Sequence, residues 1–305
     1  MNCPSSRWVF IRLAGTRAAP DSPLIALGAL DTDTSPLAMD RSTVRPPSAA
    51  GLYYPRDADG LRRALRTLLC GKPAAATRAP KALVVPHAGY AYSGTVAASA
   101  YRTLQGSAAQ RIRHVVLLGP SHRVSMRGLA MPSCDYYATP VGDVPIDGSM
   151  REHVRELGLA GVDDAPHRLE HSLEVQVPFL QTVLGPFDLL PIAVGSAPAD
   201  QVCRVLEAAW RGEETLIVVS TDLSHHHTYV EARSLDEQTA RSIVERRSDI
   251  PDAQACGAGG LNGLMVAARH KGLEVELLDR QTSGDATGDN SRVVGYGSFA
   301  LYEAA

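Results

Sequence analysis

Three short apolar runs end at a histidine: KALVVPHAGY (residues 81–90), VVLLGPSH (115–122) and LIVVSTDLSH (216–225). Runs of Val, Leu and Ile bounded by Gly or Pro are typical of strands buried on both faces, as in parallel sheets. In open α/β sheets, ligands bind just beyond the carboxyl ends of such strands. The three histidine-bearing ends therefore predict one shared metal site or acid–base site.

The rest of the chain alternates between predicted strands and helices. Strands are predicted at 81–86, 114–119, 188–194, 215–220, 273–280 and 292–303, with short strands and turns within 128–146. Helices are predicted at 57–69, 94–104, 147–158, 198–211, 231–247 and 257–270; the stretch 171–184 fits either state but favours a helix, and 284–289 fits a loop. The order strand–helix–strand over 81–119 favours a parallel pair. The pattern predicts a single α/β domain with a mostly parallel central sheet, flanked by helices and with an antiparallel edge.

Length and composition exclude several classes of protein. The 305 residues carry a formal net charge of −3, which argues against a nucleic-acid partner. No apolar run approaches the roughly 20 residues needed to cross a bilayer. Five cysteines without a CxxC pair argue against a disulfide framework or zinc ribbon and favour a cytoplasmic setting. The GxGxxG, P-loop, GxSxG and HExxH motifs are absent, so nucleotide-binding and common hydrolase functions lack their usual support.

The first 38 residues differ in character from the rest of the chain. They are rich in Ala, Pro, Ser and Asp and have no sustained periodicity, whereas Met39 opens a stretch, MDRSTVRPP, that is typical of a natural N-terminus. We expect 1–38 to be a disordered extension or a misassigned start, and 39–305 to be the folded domain.

His87 and His122 are the first candidates for the shared site. In PHAGY, Pro86 stops the strand, and the following glycine lets the backbone pass close to a ligand. His122 in GPSH has the same placement after its own strand. The alternative is that each loop histidine makes one structural hydrogen bond.

Asp222 and His225 follow the third strand. Asp222 at a strand-to-helix junction is also typical of a helix cap, and the run of three histidines at 225–227 is also compatible with an exposed loop. We expect only His225, the nearest to the strand, to point inward.

Cys256 and His171 are weaker candidates. Cys256 precedes a small, apolar helix whose N-terminus would lower the pKa of the thiol and favour the metal-binding thiolate; a lone cysteine is otherwise a small buried hydrophobe. His171 and Glu174 are three residues apart. On a helix they would share a face, either as a pair that orients a ligand or as a surface ion pair.

Five blocks together resemble the Memo family, whose bacterial and archaeal members are often called AmmeMemoRadiSam system protein B. The blocks are PHAGY (86–90), LGPSH (118–122), EHSLE (170–174), STDLSH (220–225) and Cys256-Gly257. The likeness begins with VRPP (44–47) and GLYYP (51–55) and runs in order to the C-terminus. It identifies 39–305 as a Memo-like domain.

The resemblance implies the fold of class III extradiol dioxygenases, which hold non-haem iron(II) through two histidines and a glutamate. By position, His87 and His122 match the two histidine ligands. His225 matches the acid–base histidine, and Cys256 stands where the glutamate ligand would be. Because a thiolate is softer and more easily oxidised than a carboxylate, ring-cleaving activity does not follow from the fold.

The resulting hypothesis is a non-haem metal protein with a redox or oxygen-dependent activity; if catalytic, it is a metal-dependent oxidoreductase. The predicted metal ligands are His87, His122 and Cys256, and the predicted catalytic residues are His225, Asp222 and His171. Iron(II) is the expected cofactor, copper the alternative, and the substrate is an unknown small molecule or peptide. Two other hypotheses are a signalling protein that binds peptides in a vestigial dioxygenase cleft, and metal storage or delivery. The resemblance also implies association with radical-SAM and AMMECR-type proteins.

Overall fold

The computed structural model describes residues 43–71, 79–106 and 110–304, so the predicted extension at 1–38 lies outside the described residues. The helices are α1 (Ala58–Leu68), α2 (Tyr90–Tyr101), α3 (Gly148–Glu156), α4 (Ala165–Arg168), α5 (Val177–Leu184), α6 (Ala199–Ala208), α7 (Tyr229–Val244), α8 (Ala258–His270) and α9 (Ser283–Thr287). The strands are β1 (Val44–Arg45), β2 (Ala82–Val85), β3 (His114–Pro120), β4 (Leu129–Met131), β5 (Tyr136–Thr139), β6 (Gly142–Pro145), β7 (Gly161–Val162), β8 (Asp188–Val194), β9 (Thr215–Ser220), β10 (His225–His227), β11 (Glu274–Thr282) and β12 (Val293–Tyr302). None of these helices combines the length and the apolar character that crossing a membrane requires.

The main sheet confirms the predicted α/β class. Its strands run in the order β10-β12-β2-β9-β3-β8-β4-β7, with β11 paired to β12. The central strands β2, β9, β3 and β8 are parallel. Antiparallel pairs stand on both sides of this centre, β12 with β2 and β4 with β8, rather than at one edge alone. A separate small sheet contains β1, β5 and β6.

Strand β9 lies between β2 and β3, so these two strands do not form the adjacent pair that the order of elements favoured. Val219 of β9 is in register with Val84 of β2 on one side and with Leu118 of β3 on the other. Every residue of β9 is buried, and the centre of the sheet is where an apolar strand loses the most contact with water. The carboxyl ends of β2, β9 and β3 therefore lie side by side.

Two hydrophobic cores cover the two faces of the sheet. Within β2, Val84 belongs to the core formed with α6 and α8, whereas Leu83 and Val85 belong to the core formed with α1, α2 and α5. This alternation follows from the pleat of a strand, which sends successive side chains to opposite faces. With both faces covered, access to the sheet is left at its strand ends.

Two segments differ from their predicted structure. In the ambiguous stretch 171–184, a 3₁₀ turn over Glu174–Gln176 precedes α5, and Pro178 stands in the first turn of that helix, where proline is tolerated. The predicted loop at 284–289 contains the short helix α9. Its start is stabilised by a capping box between Thr282 and Asp285.

Candidate metal centre

Three histidines meet beyond the carboxyl ends of β2 and β3; we refer to His87, His122 and His171 as the histidine cluster. One ring nitrogen of each lies within 4.8 Å of a ring nitrogen of the other two. The ring centroids are 5.1 Å apart for His87 and His122, and 5.0 Å apart for His122 and His171. His87 is buried and His122 is exposed, so solvent reaches the cluster from the side of His122.

A buried hydrogen-bond chain sets the tautomer of His87. The hydroxyl of Ser220 donates its hydrogen to the carbonyl oxygen of Ser172 at 2.6 Å. Its oxygen accepts from the side-chain amide of Gln176 at 2.9 Å and lies 3.0 Å from Nδ1 of His87. Because a hydroxyl has one hydrogen to give, Nδ1 of His87 must be the donor in the last contact. The lone pair of the imidazole is therefore on Nε2.

Glu170 sets the tautomer of His122 in the same way. Its Oε1 lies 2.9 Å from Nδ1 of His122, and its Oε2 accepts from the backbone N–H of the same residue at 2.7 Å. Burial opposes ionisation of this carboxyl, but the hydrogen bonds from His122 and Ser172 lower its pKa to about 2. An ionised carboxylate only accepts hydrogen bonds. His122 thus donates from Nδ1 and keeps its lone pair on Nε2.

His171 does not pair with Glu174, as a shared helical face would have required. Residues 169–173, which precede the 3₁₀ turn, are not helical. The carboxylate of Glu174 instead accepts hydrogen bonds from Arg45, Tyr54 and the backbone N–H of Ala49. Nδ1 of His171 lies 3.3 Å from Oε1 of Glu170 but is a buried atom without a hydrogen-bond partner among the residues that the structure describes.

The ring of His171 is held from its other side by an aromatic stack. The ring of Tyr53 lies against it with centroids 4.2 Å apart and planes 17° apart, and Arg123 is near enough to the Tyr53 hydroxyl to oppose the rise in its pKa that burial causes. Tyr53 belongs to the segment before α1, which is anchored through Glu174. The N-terminal part of the described chain therefore forms one wall of the histidine cluster.

Cys256 contacts the cluster through His87 alone. Its Sγ lies 3.2 Å from Nε2 of His87, and it is not a member of the three-residue group whose donor atoms lie within 4.8 Å. A Cβ on Gly257 would lie 2.7 Å from the carbonyl oxygen of Ser220 and 2.6 Å from Thr221. Glycine at this position therefore allows the start of α8 to approach β9 and places the thiol beside the imidazole.

The thiol of Cys256 has a raised pKa, contrary to the expectation from its place before a helix. Burial raises the pKa to about 12, and the negative charge of Asp222 adds to this effect. Desolvation of a thiolate thus outweighs the partial positive charge of the helix N-terminus. In the metal-free protein the protonated thiol donates to the Nε2 lone pair of His87.

Asp222 supports the backbone of the first histidine motif. Its Oδ1 accepts from the backbone N–H of His87 at 2.7 Å and of Ala88 at 3.3 Å, so the carboxylate does not serve as a helix cap. Its Oδ2 lies 3.9 Å from Nε2 of His87. Burial raises the pKa of this carboxyl to about 7, although the backbone hydrogen bonds oppose the shift.

His225 begins β10 and is partly buried. Repulsion from a protonated His225 would lower the pKa of His87, and repulsion from His122 lowers the pKa of His225. The next residue, His226, is exposed and has a positive φ of 64°. Of these two residues, His225 is the one that acts on the histidine cluster.

Burial favours the neutral forms of His87, His171 and His225 at pH 7. Burial lowers the pKa of His87 well below 6.5, and repulsion by His122 and His171 lowers it further. Burial also lowers the pKa of His171 to about 4 and lowers that of His225. Neutral imidazole is the form that binds a metal.

The donor set fits a transition metal. His87 and His122 engage their orienting partners through Nδ1, and one ring nitrogen of His171 lies within 4.8 Å of a ring nitrogen of each. For metal–nitrogen bonds of about 2.0 Å and metal–sulfur bonds of about 2.3 Å, a tetrahedral site needs a sulfur–nitrogen separation of about 3.5 Å. The observed 3.2 Å between Cys256 and His87 is close to that value. A cavity of about 390 Å³ beside Cys256, lined by the ends of β3 and β8 and the start of α8, offers room for a small molecule.

Sequence reasoning missed the residues that orient the histidines. Glu170 belongs to the EHSLE block but was assigned no role, and Ser220 and Gln176 were not recognised as functional residues. The partners of these three residues are 48, 133 and 44 positions away along the chain. Spacing within a motif carries no signal for such contacts.

Comparison with known proteins identifies relatives over most of the chain. Residues 45–300 match the family model described as Memo-like protein. A MEMO1 family protein of Aquifex aeolicus (strain VF5) is 37% identical over 268 residues, covering 83% of this chain and 97% of the relative. A MEMO1 family protein of Methanococcoides burtonii is 37% identical over 278 residues, covering 85% of this chain and 100% of the relative. An uncharacterized Escherichia coli K12 protein of known structure aligns with a TM-score of 0.48 and 16% identity, over 72% of this chain and 99% of that chain.

Proposed function

Because the chain belongs to the Memo family, we propose that it is a non-haem metal-binding protein with a redox or oxygen-dependent activity on a small molecule or peptide. Iron(II) is the proposed metal, and copper is the alternative. The absence of a CxxC pair and the four free cysteines among the described residues support the accompanying proposal of a reducing, cytoplasmic setting.

One observation carries the proposal: His87 and His122 each place Nδ1 against a buried partner, which leaves their Nε2 atoms for a ligand within the cluster. A histidine kept for its hydrogen bonds alone does not need its free nitrogen aligned with that of a neighbour. Metal-binding histidines commonly donate their other N–H to a carboxylate or a polar oxygen. Glu170 and Ser220 occupy those positions here.

His87 and His122 would hold the metal, with Cys256 as the proposed third ligand and His171 as its competitor for that position. A bound iron(II) or copper ion would supply one-electron chemistry with oxygen or a reduced oxygen species. Cys256 favours that role because its Sγ lies 3.2 Å from Nε2 of His87, close to the separation expected for two ligands of one tetrahedral ion. His171 favours it through its mutual distances within the cluster.

Asp222 and His225 would handle protons. The Asp222 carboxyl, with a pKa of about 7, can hold or release a proton at Oδ2 near neutral pH. His225 is neutral and so can accept a proton from a substrate at the open side of the cluster. Two groups with pKa values displaced in opposite directions are typical of acid–base pairs.

Anaerobic reconstitution followed by metal analysis tests the proposal. The wild-type protein should retain stoichiometric iron or copper after desalting, and the double variant His87→Ala/His122→Ala should retain almost none. His153→Ala, an exposed histidine on α3, is the matched control and should bind as wild type. Equal metal in the wild type and the double variant, or almost no metal in the wild type, would refute the proposal.

The same experiment separates the two candidates for the third ligand when it is made with Cys203→Ser, which removes the other thiol that lies beside a histidine. If Cys256 is the ligand, copper-loaded Cys203→Ser should show a thiolate-to-metal absorption band that adding Cys256→Ser abolishes and adding His171→Asn retains. If His171 is the ligand, the band should be absent from Cys203→Ser, and adding His171→Asn should lose metal.

A peptide-binding function is the second candidate, and Arg123 is the observation that favours it. This exposed cation follows His122 in the chain and contacts Tyr53 at the rim of the cluster. A phosphorylated or acidic peptide would find a cation and several imidazoles there. For that function the metal-free protein should show full peptide affinity and a chelator should change nothing, whereas metal storage predicts binding without turnover. Association with radical-SAM and AMMECR-type proteins is proposed from the family alone.

A further inference from the structure

A second group of metal-capable side chains lies outside the histidine cluster, between α6 and α8. Cys203, Glu207 and His270 each offer one donor atom within 4.8 Å of the other two; we call them the Cys203 cluster. Nδ1 of His270 lies 2.9 Å from Oε1 of Glu207 and 3.8 Å from Sγ of Cys203.

We propose that Cys203, Glu207 and His270 form a second metal site, for a divalent ion of the zinc class. The donors are a sulfur, an imidazole nitrogen and a carboxylate oxygen, which are the three donor types that Zn²⁺ accepts in proteins. This assignment does not depend on the function proposed for the histidine cluster.

The two helices hold the donors in place. Cys203 and Glu207 are four residues apart on α6, so their side chains lie on the same face of the helix. His270 is the last residue of α8, which packs closely on α6: a Cβ on Gly263 would lie 2.3 Å from the side chain of Val202. The donor geometry is therefore set by a rigid pair of helices rather than by a loop.

Access and protonation are both compatible with metal binding. Cys203 is buried, but the side chains of Glu207 and His270 are 37% and 57% exposed, so an ion can enter and keep a water as a further ligand. Without metal the thiol is protonated, because burial, and then the charge of Glu207, raise its pKa. Binding would release that thiol proton to solvent and move the ring hydrogen of His270 to Nε2.

The competing interpretation is a surface pair between His270 and Glu207 beside an inert, buried cysteine. It explains the 2.9 Å contact equally well but predicts no metal-thiolate bond. Spectroscopy with Co²⁺ separates the two, because a bound thiolate gives a charge-transfer band that nitrogen and oxygen ligands do not give.

The experiment titrates Co²⁺ into the full-length Cys256→Ser variant, which removes the thiol next to the histidine cluster. A thiolate-to-cobalt band that saturates stoichiometrically and is displaced by Zn²⁺ is the expected result, and Cys203→Ser in the same background should abolish it. Loss of the band there cannot come from the histidine cluster, whose imidazoles remain intact.

His270→Ala guards against a folding artefact, since this side chain is largely exposed and its loss leaves the core unchanged. In the Cys256→Ser background it should weaken Co²⁺ binding about tenfold or more, whereas the control His153→Ala should leave the affinity unchanged. The proposal is overturned if Cys256→Ser shows no thiolate band, if the band survives Cys203→Ser, or if His270→Ala binds Co²⁺ as tightly as His153→Ala.

Discussion

The histidine cluster and the Cys203 cluster each bring together three donors, yet their hydrogen bonds run in different directions. His87 and His122 donate backwards, from Nδ1 to Ser220 and Glu170, which are not among the donors of the cluster. His270 donates to Glu207, a member of its own cluster. In the first arrangement the rings are oriented by residues outside the donor set and only the Cys256 thiol must give up its hydrogen, whereas in the second the orienting hydrogen bond itself must be broken before an ion can bind.

The difference teaches that proximity of donors and readiness of donors are separate properties. In both clusters the donor atoms lie within 4.8 Å of one another, so this distance does not predict which cluster binds a metal more tightly. Readiness comes from partners behind the ligands, which fix tautomer and ring orientation. We therefore expect the histidine cluster to bind its metal more tightly than the Cys203 cluster.

Glu170→Gln is expected to have the largest effect on this comparison. The carboxylate accepts from the ring and the backbone of His122, and an amide cannot accept from all the same donors. Metal affinity at the histidine cluster should fall by about 10–100-fold, as measured by competition with a chelator. The Co²⁺ affinity of the Cys203 cluster should not change.

Tyr54→Phe is the matched control for Glu170→Gln. It removes the buried hydrogen bond that the Tyr54 hydroxyl donates to Glu174, the residue four positions after Glu170. It should lower the free energy of unfolding by about 1–3 kcal/mol without changing metal affinity. If both variants lost affinity equally, global destabilisation would explain the result and the orienting role of Glu170 would be wrong.

Ser220→Ala should have a smaller effect of the same kind. It deletes the oxygen that accepts from Nδ1 of His87, so the ring is free to exchange tautomers. Metal affinity at the histidine cluster should fall by about tenfold, as measured in the same chelator competition. Ser298→Ala is the control, since the hydroxyl of this buried serine has no hydrogen-bond partner within 43–71, 79–106 and 110–304. An equal loss in both variants would count against tautomer control.

The pH dependence of stability tests the same site in the metal-free protein. The pKa of His171 is about 4 in the folded chain, against an ordinary 6.5. Between these values the unfolded chain binds a proton that the folded chain does not, so stability falls as the pH falls, by at most about 1.4 kcal/mol per pH unit. His171→Asn should remove that contribution in urea unfolding of the metal-free protein between these pH values.

Asp222 provides the opposite arm of the pH experiment. Its pKa of about 7 in the folded chain exceeds the ordinary 3.8, so the folded state binds the extra proton and this contribution to stability increases as the pH falls. Asp222→Asn should therefore steepen the loss of stability on acidification. A shallower slope in Asp222→Asn, or an unchanged slope in His171→Asn, would contradict the assigned shifts.

The sequence was sufficient for the elements of the sheet but not for their arrangement. Unbroken Val, Leu and Ile runs predicted β3, β8 and β9 within one or two residues, because an apolar run without helical periodicity has few other folded states. The place of β9 between β2 and β3 depends on pairing across about 100 to 130 residues, and no local pattern records it. The capping box at Thr282 was a local signal for α9, but glycine and aspartate nearby favoured a loop.

The candidate site divides in the same way. Residues that end a predicted strand, such as His87 and His122, could be found by their position. The pKa direction of Cys256 was wrong because the sequence shows the helix after this residue but not the depth of burial. Pairs such as Cys203 and His270, which are 67 residues apart, become visible only once α6 and α8 are packed together.

The insertion of β9 has a consequence for biosynthesis. A nascent chain leaves the ribosome from its N-terminus, so PHAGY and GPSH emerge long before Thr215–Ser220, the strand that sets their spacing. Until β9 is available, these two loops have no common frame, and a truncated product that ends ahead of it would carry both imidazoles without a chelating geometry. If these imidazoles bind a metal, they would do so as a pair only after about 220 of the 305 residues have been made.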